Sequence, residues 1–275
     1  MHDLPLVIFT ICMQAAIGTV LFSMIAKLVQ KDKEFKVAAL VAAVLSILGV
    51  LASLLHLGVP LQALRSLSSI GSSWLSREIL FSGGFMGLTV IYALLSYIKP
   101  TAKGAIKAVG WTAGIVGILD VFMMSMVYTS SSIAAWQGTS TYIEFYATMI
   151  ILGVAILFIT NVKELDTKNR SYFSITVLLA VAVQAVFTVL HYIDLGLMGG
   201  AGTASATILA ENNILVITQW LLLIVGAGVL LFSKSGEGKS GFTKFYAIAT
   251  ALSIGLIVGR YLFYAISVAS RVGLS

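Results

Sequence analysis

The residues best suited to chemistry in this sequence are a few ionisable side chains inside long apolar stretches. A charged group within a membrane is costly, so such a residue is a functional candidate by default. These candidates are His56, Glu78, Asp120, Glu144, His191, Asp194 and Arg260. Their side chains can accept, donate or relay protons, and the acids can pair with Arg260.

His56 and Glu78 form the most interesting pair. His56 ends the second apolar stretch, before Gly58 and Pro60, and Glu78 lies in the first turn of the third stretch. We therefore expect both residues at one membrane level. Each has a structural explanation, because a histidine suits a helix C-terminus and an acid suits a helix N-terminus. The functional explanation is a catalytic pair, in which the histidine acts as a general base near neutral pH.

The remaining candidates have structural and functional interpretations side by side. His191 and Asp194 are three residues apart on one helical face, which favours a structural ion pair or a pairing at the membrane interface. Arg260 needs an anionic partner, and Asp194, Glu78 or a lipid phosphate could provide it. Asp120 lies near the middle of its stretch and is expected to be buried, either protonated or hydrogen-bonded. A proton path through Asp120, His191 and Asp194 is the alternative interpretation.

The composition indicates what must position these residues. Of the 275 residues, 59% are hydrophobic and 10% are charged, whereas soluble domains carry about 25% charged residues. A membrane-spanning helix needs about 20 mostly apolar residues. Eight runs qualify: 4–29, 35–57, 76–98, 105–128, 142–162, 171–192, 213–233 and 242–269. We expect an all-α integral membrane protein in which residues 1–275 form one transmembrane domain. Glycine pairs with GxxxG spacing predict close helix packing at Gly83/Gly87, Gly110/Gly114 and Gly255/Gly259.

The distribution of basic residues predicts the orientation. Thirteen lysines and arginines lie in the connections after the first, third, fifth and seventh runs, and four lie on the other side. Basic residues accumulate on the inner side of a membrane, so both termini should be outside. His56 and Glu78 should then lie near the outer face. The net charge of +6 is not gathered into a patch, which argues against nucleic-acid binding.

Redox groups held by this protein alone are not expected. The single cysteine, Cys12, excludes an internal disulfide or an iron–sulfur cluster, because both need several thiols. A bis-histidine haem would require His56 and His191 to face each other across the bundle, and both lie near its edge. We therefore expect no haem, no iron–sulfur cluster and no metal site.

Three segments carry a resemblance to a known family. The stretch ASLLHLGVPLQALRSLSSIGSSWLSREIL, residues 52–80, has a His-Leu-Gly-x-Pro turn followed by Ser-x-Glu at the next helix start. The opening HDLPLVIFT, residues 2–10, is followed by Gln14, and GRYLFYAISVAS, residues 259–270, lies near the end. Together they resemble the membrane anchor subunit of bacterial dimethyl sulfoxide reductases, over about the first ninety and the last twenty residues.

The resemblance implies a function and partners. Such anchors have eight helices and no haem, lie in the bacterial cytoplasmic membrane and oxidise menaquinol. Their electrons pass to a four-cluster iron–sulfur subunit and then to a molybdopterin subunit. The quinol-linked histidine and glutamate of the family map onto His56 and Glu78, and Arg260 would orient Glu78 or a quinone oxygen. Arg65 and Arg77 would contact lipid phosphate or a partner subunit.

Other interpretations stay open from the sequence. A related eight-helix quinone-reactive subunit of the polysulfide or nitrite reductase type would share the charge topology and would give Asp120 more importance. A secondary transporter would be expected to contain repeated halves and broken helices, and the sequence has no convincing internal repeat. A purely structural anchor would use His56 and Glu78 only as helix-terminal residues.

Overall fold

The computed structural model describes residues 4–56, 67–233 and 239–269. These residues form nine α-helices, two short 3-10 turns and an isolated bridge between Ile133 and Ala269. The helices are α1 (Leu4–Val29), α2 (Lys36–His56), α3 (Trp74–Ile98), α4 (Lys103–Thr129), α5 (Thr139–Asn161), α6 (Thr167–Leu197), α7 (Gly200–Glu211), α8 (Asn213–Phe232) and α9 (Lys239–Ala265).

Eight of these helices are long and apolar enough to cross a membrane, and α7 is the exception. The eight predicted spans are therefore confirmed, although several boundaries were wrong. The sixth span is longer at both ends, and α9 ends at Ala265 instead of continuing to residue 269. The backbone leaves the helix there because Ala269 pairs with Ile133. Helix α7 was not predicted, because its twelve residues are mostly small and too few to span a bilayer.

Helices α1 and α5 form the centre of the bundle. Helix α1 packs against α2, α4, α5 and α9, and α5 also packs against α6 and α9. Where they cross, a side chain at Gly18 or Gly153 would overlap the backbone of the opposite helix. Small residues allow such a close approach. The predicted close packing at Gly83 and Gly87 is wrong, since a Cβ atom at either position would meet no other atom within 4 Å.

The end of the bundle where α1, α3 and α5 end is called the lysine-rich face, because Lys27, Lys31, Lys103 and Lys107 lie there. Gln30 connects two loops at this face. Its Nε2 donates to the Glu164 carbonyl oxygen at 2.9 Å, and its Oε1 accepts from Asn169 Nδ2 at 2.8 Å. The α1–α2 and α5–α6 connections are thereby held together.

The opposite face is covered by α7 and by the turn Ala134–Trp136. Helices α6 and α7 are separated at Gly199 and Gly200, whose φ angles of 63° and 47° favour glycine. Ser205 of α7 donates to the Ile266 carbonyl oxygen at 2.7 Å, and Trp136 Nε1 donates to the Phe263 carbonyl oxygen at 2.7 Å. These bonds attach the covering segments to the end of α9.

Candidate functional site

Glu78 lies on α3 just inside the opposite face, in a buried position. Helix α3 begins at Trp74, two residues before the predicted start, and Ser73 caps it by accepting from the Ser76 N–H group. Glu78 is consequently past the first turn, so the explanation of Glu78 as an N-terminal acid is wrong. Its side chain is 4% exposed, and Oε1 has no hydrogen-bond partner among the described residues.

Asp120 on α4 lies within electrostatic range of Glu78. Ser82, one turn after Glu78, donates its hydroxyl to Asp120, with Oγ at 2.9 Å from Oδ1 and 3.0 Å from Oδ2. All three side chains are buried. The expectation of a buried, hydrogen-bonded Asp120 is confirmed. We call Glu78, Ser82 and Asp120 the Glu78 cluster.

His56 is the last residue of α2, and its backbone lies at the same end of the bundle as the start of α3. Helices α2 and α3 also pack against each other. The side chain of His56 lies outside the described residues, as does Arg65. Of the predicted pair, the structure therefore describes the side chain of Glu78 but not that of His56.

Arg77 is engaged within its own segment. Its Nε donates to the Ile70 carbonyl oxygen and its Nη2 to the Gly71 carbonyl oxygen, both at 2.9 Å. The guanidinium carbon also lies 4.2 Å from the centroid of the Trp74 ring, a cation–π arrangement. Arg77 thus stabilises the segment that precedes α3.

Arg260 on α9 is buried in the bundle and pairs with Glu144 of α5. Its Nη1 is 3.6 Å from Glu144 Oε1, while its Nη2 donates to Gln14 Oε1 at 2.9 Å and to Thr148 Oγ1 at 3.4 Å. The guanidinium carbon lies 3.9 Å from the centroid of the Phe145 ring. The anionic partner is accordingly Glu144 rather than Asp194, Glu78 or a lipid phosphate. We call Arg260, Glu144, Gln14 and Thr148 the Arg260 cluster.

Two tyrosines lie between these clusters. The hydroxyl oxygens of Tyr128 on α4 and Tyr264 on α9 are 2.5 Å apart and buried. Both tyrosines are near enough to interact electrostatically with Glu78 and with Arg260. A spatial series of polar side chains therefore extends from α3 and α4, through the tyrosine pair, to α5 and α9. Trp136 packs edge-on against Tyr128 and covers the pair from the side of the opposite face.

His191 and Asp194 are not an ion pair. His191 Nε2 is 2.9 Å from the Ala135 carbonyl oxygen, and Asp194 is exposed. His191 instead borders a small polar cavity of about 30 Å³, together with Glu144, Gln184 and Gln219. This volume is enough for one or two water molecules. The predicted ion pair is wrong: the imidazole bonds to the covering turn, and no His191–Asp194 contact is short enough for an ion pair.

The sequence alone did not assign a role to Glu144, Gln14 or Tyr128. Glu144 was among the candidate ionisable residues, but its distance from Arg260 along the sequence hides the pairing. Gln14 appeared only as part of the family-like opening segment. No pattern of polar or charged residues in the sequence distinguishes Tyr128 from the other tyrosines. A search of every apolar stretch for an acid that could pair with a buried Arg260 would have included Glu144.

Within the described residues, no three histidine, cysteine, aspartate or glutamate side chains are grouped so that they could hold a metal ion. The polar side chains of the two clusters come instead from five spans, α1, α3, α4, α5 and α9, and the tyrosine pair belongs to α4 and α9. Carboxylates, hydroxyls and a guanidinium group are suited to binding and moving protons of an organic substrate.

Comparisons with known proteins point to one family. The sequence matches the family described as DMSO reductase anchor subunit (DmsC) over residues 1–266. It is 30% identical to an anaerobic dimethyl sulfoxide reductase chain of Haemophilus influenzae, over 96% of this sequence and 94% of the relative. It is also 29% identical to the YnfH chain of an Escherichia coli anaerobic dimethyl sulfoxide reductase. A second anaerobic dimethyl sulfoxide reductase chain of Escherichia coli is 25% identical, and both matches extend over the same shares of the two sequences.

Proposed function

We infer the function from one premise: this chain belongs to the dimethyl sulfoxide reductase anchor subunit family. It is a multi-pass membrane protein that anchors a dimethyl sulfoxide reductase. The family assignment favours this reductase type over a polysulfide or nitrite reductase subunit and over a transporter.

We propose that the protein oxidises menaquinol near the outer face of the bacterial cytoplasmic membrane. Menaquinol loses two electrons and two protons and leaves as menaquinone. The electrons pass to a four-cluster iron–sulfur subunit, which supplies a molybdopterin subunit that reduces the terminal acceptor. Because the single cysteine of this sequence is too few to hold an iron–sulfur cluster, the quinol must be bound close to the partner, at the membrane edge.

The observation that carries this proposal is the unpaired carboxylate oxygen of Glu78. A buried polar atom without a partner is costly, and Glu78 Oε1 lacks one among the described residues. A quinol hydroxyl donating to this oxygen would satisfy it. Glu78 also lies at the helix end beside the end of α2, where His56 is expected to contribute.

The proposed mechanism divides the protons between two residues. His56 accepts the proton of one quinol hydroxyl as a general base. Glu78 receives a hydrogen bond from the other quinol hydroxyl, accepts its proton and relays it outward, so both protons of the quinol have an acceptor. Asp120 fixes Ser82 one turn away and so restricts the surroundings of Glu78.

Arg260 retains a proposed part as a positioning residue. Its Nε and Nη1 atoms have no hydrogen-bond partner among the described residues, and Glu144 faces the small polar cavity. Water in that cavity would bind Glu144, the ion-pair partner of Arg260. Through the Tyr128–Tyr264 pair, Arg260 would stabilise negative charge near Glu78 without touching the substrate.

The test is a His56→Ala variant in the assembled reductase, with quinol-driven reduction measured beside reduction driven by a soluble donor that bypasses the membrane subunit. We expect quinol-driven activity to fall by about 10²-fold or more, the usual contribution of a general base, while soluble-donor activity is kept. Glu211→Gln, which removes an exposed acid of α7, is the matched control. If the His56→Ala variant oxidises quinol as fast as the wild type, His56 is not the general base proposed here.

A second test concerns the side on which protons are released. If both protons leave at the outer face, turnover moves no net charge across the membrane. Reductase reconstituted in vesicles with a voltage-sensitive dye should therefore show no potential during quinol oxidation. A potential that grows with turnover would contradict the outer position of the site.

A further inference from the structure

A second cavity opens at the lysine-rich face, far along the helices from Glu78. It has a volume of about 250 Å³ and lies between the end of α1, the α1–α2 connection and the start of α4. Four lysines line it, against one acid, Glu34: Lys27, Lys31, Lys103 and Lys107. Such an excess of positive charge around a concave surface favours an anionic ligand.

The positive charge is only partly balanced by the protein itself. Lys27 Nζ is 3.2 Å from Glu34 Oε2 and 5.3 Å from the centroid of the Tyr92 ring. Lys31, Lys103 and Lys107 are exposed, and no carboxylate among the described residues forms an ion pair with them. The single acid is thus used by Lys27, which leaves three cations facing the cavity.

The start of α4 adds to this field. The helix has no acid in its first turn, and Ala102 at its cap makes no side-chain hydrogen bond. The positive end of a helix dipole favours anions and disfavours lysine, yet Lys103 and Lys107 occupy the first two turns. A bound anion would relieve this unfavourable arrangement and accept from the free N–H groups.

The surroundings of the cavity select the source of the anion. Leu28 lines it and is 53% exposed, and Trp111 lies deeper along α4. Exposed leucine suits an acyl chain, and tryptophan is enriched at the membrane–water interface. The cavity is slightly smaller than typical ligand pockets, whose volumes begin at about 300 Å³. Its size therefore suits a lipid headgroup. We propose that this cavity binds the phosphate-bearing headgroup of an anionic phospholipid.

Quenching of Trp111 tests the proposal in the full-length protein. The protein is reconstituted into phosphatidylcholine vesicles that contain either dibrominated phosphatidylglycerol or dibrominated phosphatidylcholine. The contribution of Trp111 is obtained by subtracting a Trp111→Phe variant. Three uncompensated lysines at on the order of fivefold each predict that phosphatidylglycerol quenches Trp111 at a mole fraction on the order of a hundredfold lower than phosphatidylcholine does.

Charge variants show whether the cavity lysines cause this preference. Near an anionic surface one lysine contributes on the order of fivefold in affinity, so Lys103→Gln/Lys107→Gln should lose at least about tenfold in preference. Lys33→Gln/Lys168→Gln removes two charges from the same face outside the cavity and should keep it. Lys31→Gln, an exposed single change, is a milder variant with an expected loss of about fivefold.

Results of two kinds would overturn the proposal. One is equal quenching of Trp111 by both brominated lipids in the wild-type protein, or equal loss of preference in the cavity and control variants. The other is displacement of brominated phosphatidylglycerol by millimolar inorganic phosphate, which would assign the cavity to a free anion. Both outcomes would leave the quinol proposal untouched, because Glu78 does not line this cavity.

Discussion

The pairing of Arg260 with Glu144 leads to a measurable coupling between α9 and α5. The perturbations are Glu144→Gln and Arg260→Met, alone and together. Removing one partner of a buried ion pair leaves the other charge without compensation, whereas removing both does not. We therefore expect the double variant to be more stable than the sum of the single effects predicts.

The expected magnitude follows from the geometry. Loss of one partner in a fully buried pair costs about 3–5 kcal/mol. Here the Nη1–Oε1 distance is 3.6 Å and the Glu144 side chain is 23% exposed, and Arg260 keeps its bond to Gln14. Glu144→Gln should thus reduce the free energy of unfolding by roughly 2 kcal/mol, with a coupling of about 1–2 kcal/mol in the double-variant cycle.

The assay is denaturant-induced unfolding of the full-length protein in mixed micelles, followed by tryptophan fluorescence. Glu211→Gln on α7 serves as control for loss of an exposed acid and should change stability by less than about 0.5 kcal/mol. Additive effects of the two single variants, or a Glu144→Gln variant as stable as wild type, would refute the reasoning.

Other contacts make separate predictions. Gly153→Val should prevent the close crossing of α1 and α5 and abolish a monodisperse peak in gel filtration, whereas Gly83→Ala should not. Asp120→Asn can still accept from Ser82, so its stability should remain within about 1 kcal/mol of wild type, while Asp120→Leu should unfold at lower denaturant. Trp136→Phe loses its hydrogen bond to a carbonyl group of α9 and should cost about 1 kcal/mol in unfolding free energy; equal unfolding midpoints would contradict that contact.

The spans of the fold were predictable because a bilayer imposes length and apolarity on each helix. Run 4–29 agrees with α1 at both ends, since polar or charged residues border it. The end of α9 was not predictable, because it depends on a pairing between Ile133 and Ala269. Helix α7 was missed for a similar reason: its short, small-residue sequence forms a helix only where it packs against the opposite face.

The candidate site was predictable in composition but not in pairing. Burying an ionisable group in a membrane is energetically costly, and this argument selects Glu78, Asp120 and Arg260 from the sequence. The family assignment confirms the resemblance found in residues 52–80. Which acid meets Arg260 depends on how α5 and α9 pack. The spacing of His191 and Asp194 suggested an ion pair, but the histidine bonds to the Ala135 carbonyl group of the covering turn instead.

The most direct test of the quinol site is the Glu78→Gln variant in the assembled reductase. Its kcat/KM for menaquinol, divided by its activity with a soluble donor, should fall by at least about tenfold, since the neutral amide cannot relay a proton. An unchanged ratio, with the variant assembled to wild-type level, would contradict the role proposed for Glu78.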